Sequence, residues 1–318
     1  MRILVTGGAG YVGSVAVRHL LSLGHRVRVL DCLLHGGSAL LGLFPEDGFE
    51  FQQGDVRSQE TIRRALDGMD AVIHLAAIVG DPACSREPVL AQDTNHKASL
   101  QLFRESMRTG IKRFVFASTC SNYGRMPDPS QYTTEESELR PVSLYAQTKV
   151  AVETELLAQP AAGSISVTVL RFATIFGLSP RMRFDLTVNE FTMEMLLKGK
   201  VKVFGEQFWR PYVHVRDAAR AMAMVLGADK TVVAGRVFNV GDTALNYQKG
   251  QIVELIRSEL GDHIVVERVQ KDEDPRDYRV SFERVKRDLG FQITRRVEDG
   301  IREIALAIKQ GVIRDIDN

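Results

Sequence analysis

The sequence has few cysteines, one tryptophan and almost no net charge over its 318 residues. Cys32, Cys84 and Cys120 lie too far apart to suggest a disulfide framework or a metal pair, which favours a reducing, cytoplasmic location. Basic and acidic residues number 41 and 40, so neither nucleic acid nor a membrane surface is the expected partner, and a small molecule is favoured. No His/Cys/Asp cluster has metal spacing, and we expect no metal.

Long apolar runs are also missing. No stretch approaches the roughly 20 apolar residues that a membrane span needs. The first residues enter glycines after a short apolar run, which is not the pattern of a signal peptide. The sequence therefore predicts no membrane association.

Short β-rich segments alternate with segments of helical length through the first half of the chain. The expected strands are residues 2–5, 26–30, 49–53, 71–76, 113–118 and 167–172. This alternation predicts an α/β fold with a doubly wound parallel Rossmann sheet. Beyond it, isolated strands at 201–205 and 236–241 and helices at 249–261 and 297–311 indicate a smaller C-terminal α/β part.

We expect two domains in this chain. Residues 1–174 would form the dinucleotide-binding domain that carries the catalytic residues. Residues 175–318 would mainly bind substrate, with some return of the chain to the first domain near 210–245.

A glycine-rich loop follows the first expected strand, in the sequence "TGGAGYVG". Gly7, Gly10 and Gly13 are each separated by three positions and are followed by a helical pattern. A residue without Cβ permits a tight strand-to-helix turn, and the helix N-terminus offers N–H groups to a phosphate. The alternative is a purely structural turn with glycine in a left-handed conformation.

Residues at the ends of later strands favour the phosphate-binding interpretation. Asp31 closes the second strand, 18 residues after Gly13, where its carboxylate could accept from the adenosine ribose hydroxyls. A 2′-phosphate would be repelled there, so NAD is favoured over NADP. Asp31 alone could equally be a helix cap or a surface charge. Asp55, in "GDVR", could accept from the adenine amino group, and the small residues of "HLAA" (74–77) leave space for a flat ligand.

Candidate catalytic residues follow the fifth strand. Tyr145 and Lys149, in "YAQTK", are four positions apart and share one helix face. A nearby ammonium and a positively charged nicotinamide both favour the phenolate, which can accept a proton while hydride leaves the substrate carbon. Thr119, in "STCSNYG", would orient the same oxygen. Tyr-x-x-x-Lys by itself is a common helix pair without a special role.

Taken together, these motifs resemble the extended short-chain dehydrogenase/reductase family, in its branch of nucleotide-sugar epimerases and dehydratases. The similarity spans nearly the whole chain through "TGGAGYVG", "GDV", "HLAA", "STCSNYG", "YAQTK", "LRFATIFG", "WRPYVHVRDAARA", "VFNVG" and "DLGF". The resemblance implies that Thr119, Tyr145 and Lys149 form the catalytic triad. It also implies that Asn95 supports cofactor and substrate, and that Phe172 packs against the nicotinamide.

The resulting candidate sites are as follows. The expected NAD-binding residues are Gly7, Gly10, Tyr11, Val12, Gly13, Asp31, Asp55, Val56, Leu75, Ala76, Ala77, Asn95, Tyr145, Lys149 and Phe172. The expected contacts to a nucleotide-diphosphate sugar are Thr119, Cys120, Ser121, Thr174, Asn189, Arg210 and Arg276. Arg181 and Arg183 are further candidates for the phosphates, and His74, His96 and His214 are interpreted as structural. Any single arginine could instead be a solvated surface charge.

Two departures from the family pattern bear on the reaction. Many relatives read Arg-Tyr-Phe-Asn where this chain has residues 171–174, so a usual asparagine contact to the nucleotide is missing and the base and sugar stay open. Relatives that eliminate water place Asp-Glu directly after the catalytic threonine, whereas this chain has Cys120 and Ser121. The sequence therefore predicts redox chemistry at C4 without 4,6-dehydration and without inversion at C3 or C5, and Cys120 is interpreted as a buried structural cysteine.

The leading hypothesis is an NAD-dependent nucleotide-sugar 4-epimerase that acts through a transient 4-keto sugar. The alternative is a 4-dehydrogenase or 4-ketoreductase with net redox change, and a catalytically inactive NAD sensor on this fold is a further alternative. Relatives pair the helices equivalent to residues 88–109 and 142–158 across a two-fold axis. Both segments carry apolar positions in excess of one core-facing stripe, so we expect a homodimer.

Overall fold

The computed structural model describes residues 1–126, 128, 131–159, 165–271 and 276–313. Its strands are β1 (Arg2–Thr6), β2 (Arg26–Asp31), β3 (Phe49–Gln53), β4 (Ala71–His74), β5 (Arg113–Thr119), β6 (Ser166–Phe172), β7 (Thr174–Phe176), β8 (Lys200–Phe204), β9 (Trp209–His214), β10 (Arg236–Val240), β11 (Asn246–Gln248) and β12 (Val265–Val269).

Helices separate most of these strands. They are α1 (Tyr11–Ser22), α2 (Gln59–Leu66), α3 (Asp81–Arg86), α4 (Pro88–Gln92), α5 (Ser99–Arg108), α6 (Leu144–Leu157), α7 (Thr187–Lys198), α8 (Val215–Gly227), α9 (Lys230–Val233), α10 (Lys249–Leu260), α11 (Glu283–Leu289) and α12 (Val297–Lys309). A π-helical segment, Asp93–Ala98, joins α4 to α5, and short 3-10 turns occupy Ser38–Leu43, Cys120–Tyr123 and Thr243–Leu245.

The central sheet has seven parallel strands in the order β10-β6-β5-β4-β1-β2-β3. Its middle strands are apolar on both faces, and Ile3, Leu4 and Val5 of β1 have no exposed surface. Strands buried on both faces need a helical layer on each side, as the alternating sequence pattern predicts. The α/β Rossmann fold class is confirmed.

The order of strands reverses between β1 and β4. Connections from these two strands leave in opposite directions, which opens a crevice at their carboxyl ends. The glycine loop after β1 and the segment 75–80 after β4 both lie at this edge. The sheet therefore brings the candidate cofactor residues to one place.

The C-terminal half builds a second, smaller core. Strands β11, β9 and β7 form one sheet, and β12 pairs with β8. Helices α7, α10 and α12 cover them around a cluster that includes Phe176, Val188, Tyr212, Ile252 and Ile301.

One expected isolated strand belongs to the central sheet. Residues 236–241 lie within the region 210–245 where some return of the chain to the first domain was expected, and β10 pairs in parallel with β6 as the edge strand. Helix α8 packs against α1 on the same layer. The chain thus returns to the N-terminal layer within residues 215–240, while the division into two domains stays a prediction. Among the described residues, no helix is long and apolar enough to cross a membrane.

Candidate functional site

The glycine loop is shaped by contacts that leave no room for side chains. Gly7 has φ +75°, and a Cβ there would lie 2.7 Å from the backbone nitrogen of Ala76. A Cβ on Gly13 would lie only 2.1 Å from the carbonyl oxygen of Gly7. Both glycines are therefore required for the start of α1 to pack against the ends of β1 and β4.

The N-terminus of α1 is left open toward the groove. Gly10 precedes the helix without a side-chain cap, and the first turn carries no acidic residue. Its amide groups and the positive end of the helix dipole are thus available to an anion. This arrangement fits a pyrophosphate.

Eleven of the expected cofactor residues lie around one groove in the described part of the chain. They are Gly7, Gly10, Tyr11, Val12, Gly13, Asp31, Asp55, Val56, Leu75, Ala76 and Ala77. The same groove is lined by Arg181 and Arg183, which approach from the C-terminal half. The walls are a mixture of backbone, small apolar residues and a few charges, as expected for a dinucleotide site.

Asp31 links the groove to the glycine loop. Its Oδ2 accepts from the amide of Ala9 at 2.9 Å, and its Oδ1 accepts from the amide of Leu33 at 2.8 Å. A carboxylate has further acceptor capacity beyond these two bonds. Asp31 is held in place by the backbone while it keeps lone pairs for ribose hydroxyls.

Asp55 is engaged by a side chain of the protein. The guanidinium of Arg57 binds its carboxylate, with Nη2 at 2.6 Å from Oδ2, and holds the pKa of Asp55 below its usual value. Asp55 still lines the groove. Its contact with adenine stays a prediction. The carboxylate that would make this contact is already bound by Arg57.

Asn95 and Phe172 are buried and are not among the described residues that line the groove. The amide of Asn95 is fully buried, accepts from the N–H of Ile78 at 2.8 Å and donates to the carbonyl of the same residue at 2.8 Å. It therefore holds the segment after β4 in position. Phe172, at the end of β6, is 5% exposed and packs in the core beside Ala173.

The three candidate catalytic residues come from two adjacent elements. Thr119 ends β5, and its hydroxyl accepts from the amide of Ser121 at 3.0 Å. Tyr145 and Lys149 lie in the first half of α6. The helix begins at Leu144, and the side chain of the preceding residue, Ser143, accepts from the amide of Ala146. The hydroxyl of Tyr145 has no hydrogen-bond partner within the described residues, which leaves it available to a substrate.

Burial controls the charges of this pair. Lys149 is 3% exposed, its Nζ donates to the carbonyl of Ala117 at 2.8 Å, and burial lowers its pKa to about 8. Its Nζ lies 5.8 Å from the ring centre of Tyr145. Burial raises the pKa of Tyr145, while the charge of Arg183 acts in the opposite direction. The phenolate therefore needs nearby positive charge to form near neutral pH.

A buried polar network lies beneath the catalytic strand, and the sequence analysis missed it. Glu153, one turn after Lys149, forms an ion pair with Arg171 at 2.7 Å, and both side chains are almost completely buried. The carboxylate of Glu153 also accepts from Asn122 at 2.7 Å and from Ser118. The only available signal was the i to i+4 spacing of Lys149 and Glu153, which does not identify a partner on β6.

Asn189 is fully buried and braces the segment that carries the two groove arginines. It accepts from the amide of Gly177 at 3.0 Å and donates to the carbonyl of Arg183 at 2.9 Å and to the hydroxyl of Tyr11 at 3.2 Å. Tyr11 in turn donates to the carbonyl of Gly177 at 2.7 Å. The side chains of Asn189 and Tyr11 are thus used in hydrogen bonds to the segment 177–183. A ligand in the groove can still contact backbone atoms of Tyr11.

Arg210 lies beside a tyrosine that the sequence analysis did not identify. Its guanidinium is 5.6 Å from the ring centre of Tyr278, and the hydroxyl of Tyr278 donates to Ser121 at 3.4 Å. Cys120, next to Ser121, has no exposed surface; its thiol donates to the carbonyl of Arg171, and burial raises its pKa well above the ordinary value. This favours the interpretation of Cys120 as a structural cysteine.

Arg276 forms an ion pair with Asp81, with Nη1 at 2.9 Å from Oδ2. Asp81 is the first residue of α3, and Arg276 follows β12 in the chain. Arg183 is held by Asp185, with Nη2 at 2.6 Å from the carboxylate. Thr174, on β7, is partly exposed. The contacts of Arg276 and Thr174 with substrate stay predictions.

The candidate structural histidines each have hydrogen-bond partners in the protein. His74 is buried between Thr6 and Ser99, and burial lowers its pKa to about 3, so it is neutral. His214 bonds Glu303 at 3.1 Å, and His96 contacts Gln92. Within the described residues, no group of three or more His, Cys, Asp or Glu side chains could hold a metal ion.

Comparison with known proteins adds the following findings. The model of the NAD dependent epimerase/dehydratase family matches residues 3–241. A UDP-glucose 4-epimerase of Corynebacterium glutamicum is 29% identical over 309 residues, covering 92% of this chain and 90% of that protein. A dTDP-glucose 4,6-dehydratase of Streptomyces niveus is 30% identical over 315 residues, covering 95% and 91%. The solved structure of DesIV, a dTDP-glucose 4,6-dehydratase from Streptomyces venezuelae with NAD bound, aligns over 100% of both chains with a TM-score of 0.88 and 26% identity. Epimerases and dehydratases are thus similar to this chain to nearly the same degree.

Proposed function

Since the chain belongs to the NAD dependent epimerase/dehydratase family, in the extended short-chain dehydrogenase/reductase branch, we propose that it is a nucleotide-sugar 4-epimerase acting through a transient 4-keto sugar. The chain is an NAD-dependent enzyme of nucleotide-sugar metabolism. The observation that carries the finer proposal is the pair of side chains after Thr119, which lacks the acid and base that dehydration needs.

The groove fits NAD by its own chemistry. The uncapped start of α1 would receive the pyrophosphate, and Asp31 would accept from the adenosine ribose hydroxyls. When bound, NAD supplies a hydride acceptor and donor for carbon C4 of the sugar. The remaining chemistry belongs to side chains of this chain.

Tyr145 is the proposed proton acceptor for the C4 hydroxyl. Its oxygen is free of protein partners within the described residues, and Lys149 supplies the nearby charge that favours the phenolate. Thr119 would orient the sugar hydroxyl. On the return step Tyr145 would donate the proton back to the C4 oxygen. Inversion of the configuration at C4 requires that the 4-keto sugar rotate in the cleft, so that its opposite face is reduced.

Elimination of water would need an acid and a base beside C5 and C6. Cys120 is buried behind the end of β5 with a raised thiol pKa, and Ser121 is too weak a base without an activating partner. The residue that contacts Ser121 is Tyr278, whose own pKa is raised by burial and which is therefore no base near neutral pH. The site thus favours chemistry confined to C4.

The substrate diphosphate has candidate partners at the C-terminal side. Arg210 offers a guanidinium on the ring of Tyr278, and Arg276 and Arg183 offer two more that are now held by carboxylates. Guanidinium forks match phosphate oxygens in geometry. We propose that a nucleotide diphosphate binds here with its sugar toward Tyr145.

The test is turnover of UDP-, dTDP-, GDP- and CDP-sugars in deuterated water, with and without added NAD. We expect one pair of C4 epimers to interconvert without net NADH and without deuterium at C3 or C5. The Tyr145→Phe variant should fold, bind NAD and lose on the order of 100- to 10,000-fold in rate. Tyr247→Phe, a partly exposed tyrosine on β11, is the matched control and should keep wild-type activity.

Other outcomes separate the alternatives. Stoichiometric NADH or consumption of a 4-keto sugar would establish a dehydrogenase or ketoreductase. Deuterium at C5 with loss of the C6 hydroxyl would establish dehydration and overturn the proposal. NAD binding with no turnover of any substrate, in wild type and variants alike, would point to a sensor.

A further inference from the structure

A second cavity lies on the flank of α1, away from the catalytic pair. It encloses about 1040 Å³ between α1, the segment 178–182, the start of α8 and residues 294–313. Among the described residues, Arg181 and His35 alone are shared with the cofactor groove. We refer to it as the α1–α8 cavity.

The walls of the α1–α8 cavity carry charge of one sign. Five arginines line it: Arg18, Arg181, Arg216, Arg220 and Arg295. No aspartate or glutamate is found among its described lining residues. This concentration of charge is unusual in a chain whose formal net charge is only +1.

Two of the five arginines have acidic partners outside the cavity. Arg220 binds the buried carboxylate of Asp217 at 2.7 Å, and Arg295 lies 3.7 Å from Glu303. Glu303 is in addition the partner of His214. These two arginines are therefore largely compensated by protein.

The other three are compensated more weakly: Glu303 interacts electrostatically with Arg216, and Asp185 with Arg181, without forming an ion pair. Within the described residues, no carboxylate lies within ion-pairing distance of Arg18, Arg181 or Arg216. Arginine keeps its proton at all physiological pH values, so three cationic forks face a common space.

Neighbouring groups respond to this positive field. Arg220 helps to lower the pKa of His19, and Arg181 and Arg183 help to lower that of His35, in both cases after burial as the larger cause. Burial and the charge of Arg183 also lower the pKa of Arg181. Bound negative charge would relieve this repulsion.

The cavity also has an apolar floor. Val15, Leu178, Met182, Ala219 and Ile313 contribute to its lining. A ligand that uses both surfaces carries phosphate groups at one end and a flat or apolar group at the other. A volume of this size accommodates a molecule as large as a nucleotide.

We propose that the α1–α8 cavity binds a polyphosphate-bearing metabolite of nucleotide size, held by Arg18, Arg181 and Arg216. Charge-assisted bonds from arginine forks to phosphate oxygens would bind the ligand, and Val15 and Met182 would contact its apolar part. This site is separate from the substrate site and is independent of which sugar reaction the enzyme performs.

The test is calorimetric titration of the NAD-saturated, full-length enzyme with ATP and, separately, with inorganic tripolyphosphate. NAD fills the cofactor groove, so that binding there is excluded, and binding at the proposed substrate site is recognised because the Arg18/Arg216 variant would leave it unchanged. We expect both probes to bind, ATP more tightly than tripolyphosphate, with affinity that falls as salt rises.

The decisive variant is Arg18→Gln/Arg216→Gln, which removes two charges from exposed positions on α1 and α8. We expect it to weaken both probes by about tenfold or more and to leave the NAD dissociation constant unchanged. The control is Arg64→Gln/Lys112→Gln, which removes two exposed charges that do not line the cavity and should leave probe binding within about twofold.

Three results would overturn the proposal. They are no binding of either probe at millimolar concentration, equal binding by wild type and the Arg18/Arg216 variant, or equal weakening by the control variant. Loss of epimerase activity alone would not bear on this site, since probe binding is read directly.

Discussion

Lys149 places an ammonium group where almost no surface is exposed, with the carbonyl of Ala117 as its hydrogen-bond acceptor. Burial lowers its pKa to about 8 from an ordinary value of 10.5. Between these values the unfolded chain keeps a proton that the folded chain releases. Because the unfolded state binds more protons there, the stability of the fold rises with pH in that range.

The predicted rise in stability with pH can be measured by comparing wild type with Lys149→Met, which removes the titrating amino group. We expect wild type to gain stability relative to the variant from about pH 8 to about pH 10, by no more than about 1.4 kcal/mol per pH unit. Below about pH 8 the difference should be flat. Urea unfolding across this range tests it, and a difference that stays constant or shrinks with rising pH would contradict the assignment.

Asp31 is expected to decide between NAD and NADP. Its carboxylate is fixed by the amides of Ala9 and Leu33 and faces the groove, where a 2′-phosphate would meet like charge. Wild type should bind NAD much more tightly than NADP. Asp31→Ala should weaken the binding of NAD and reduce the difference in affinity between NAD and NADP. Parallel titrations of both cofactors measure this, with the exposed Asp47→Ala as control. Equal or tighter binding of NADP by wild type would refute it.

At the scale of elements, the contact between the start of α1 and the end of β1 leaves no space for a methyl group at Gly13. A Cβ there would lie 2.1 Å from the carbonyl oxygen of Gly7, so backbone must move. We expect Gly13→Ala to cost about 1–3 kcal/mol of unfolding free energy and to weaken NAD binding.

The matched control is Gly227→Ala at the end of α8. A Cβ at Gly227 meets nothing within 4 Å, so this change should be neutral or slightly stabilising. Thermal unfolding and NAD titration of the two variants check the pair. Equal unfolding temperatures and equal NAD affinities for the two alanine variants would contradict the prediction, because they would show that the loop accommodates a Cβ at Gly13.

The elements that the sequence predicted are those whose signal is local. The alternation of apolar strands and amphipathic helices gave β1 to β6, and the spacing of Tyr145 and Lys149 indicated a shared helix face that α6 provides. A return of the chain to the first domain near residues 210–245 was expected, but the pairing of β10 with β6 was not, since 64 residues separate the end of β6 from the start of β10 and no local pattern encodes that contact.

The same limit applies to the candidate site. Glycine spacing predicted the loop after β1, but the contact of Tyr278 with Ser121 joins positions 157 residues apart. The burial of Cys120 depends on what packs behind β5, which a motif does not reveal. Arg276 was identified as a cation, whereas its partner Asp81 follows only from the fold.

At the scale of the whole molecule, the charges are separated by function. Near-neutral overall charge gives no long-range attraction to polyanions such as nucleic acid. Arginines are instead concentrated in the groove and in the α1–α8 cavity, where small phosphorylated ligands can meet several forks at once. We therefore expect the molecule to select small anions by the local arrangement of its arginines.

The remaining prediction concerns assembly. The run from α4 through the π-helical segment to α5 (Pro88–Arg108) packs beside α6, and the two helical runs leave apolar groups such as Val89, at 73% exposure, at or near the surface. We predict that these helices pair with those of a second copy in a homodimer at micromolar concentration, measured by light scattering after size exclusion.

Val150→Arg on α6 should shift the population toward monomer, because a guanidinium would be buried without a partner at the interface. Leu306→Arg on α12, which replaces an apolar residue with 56% exposure elsewhere, should leave the mass unchanged. A strictly monomeric mass for wild type would refute the homodimer, and dissociation by Leu306→Arg would move the interface to α12.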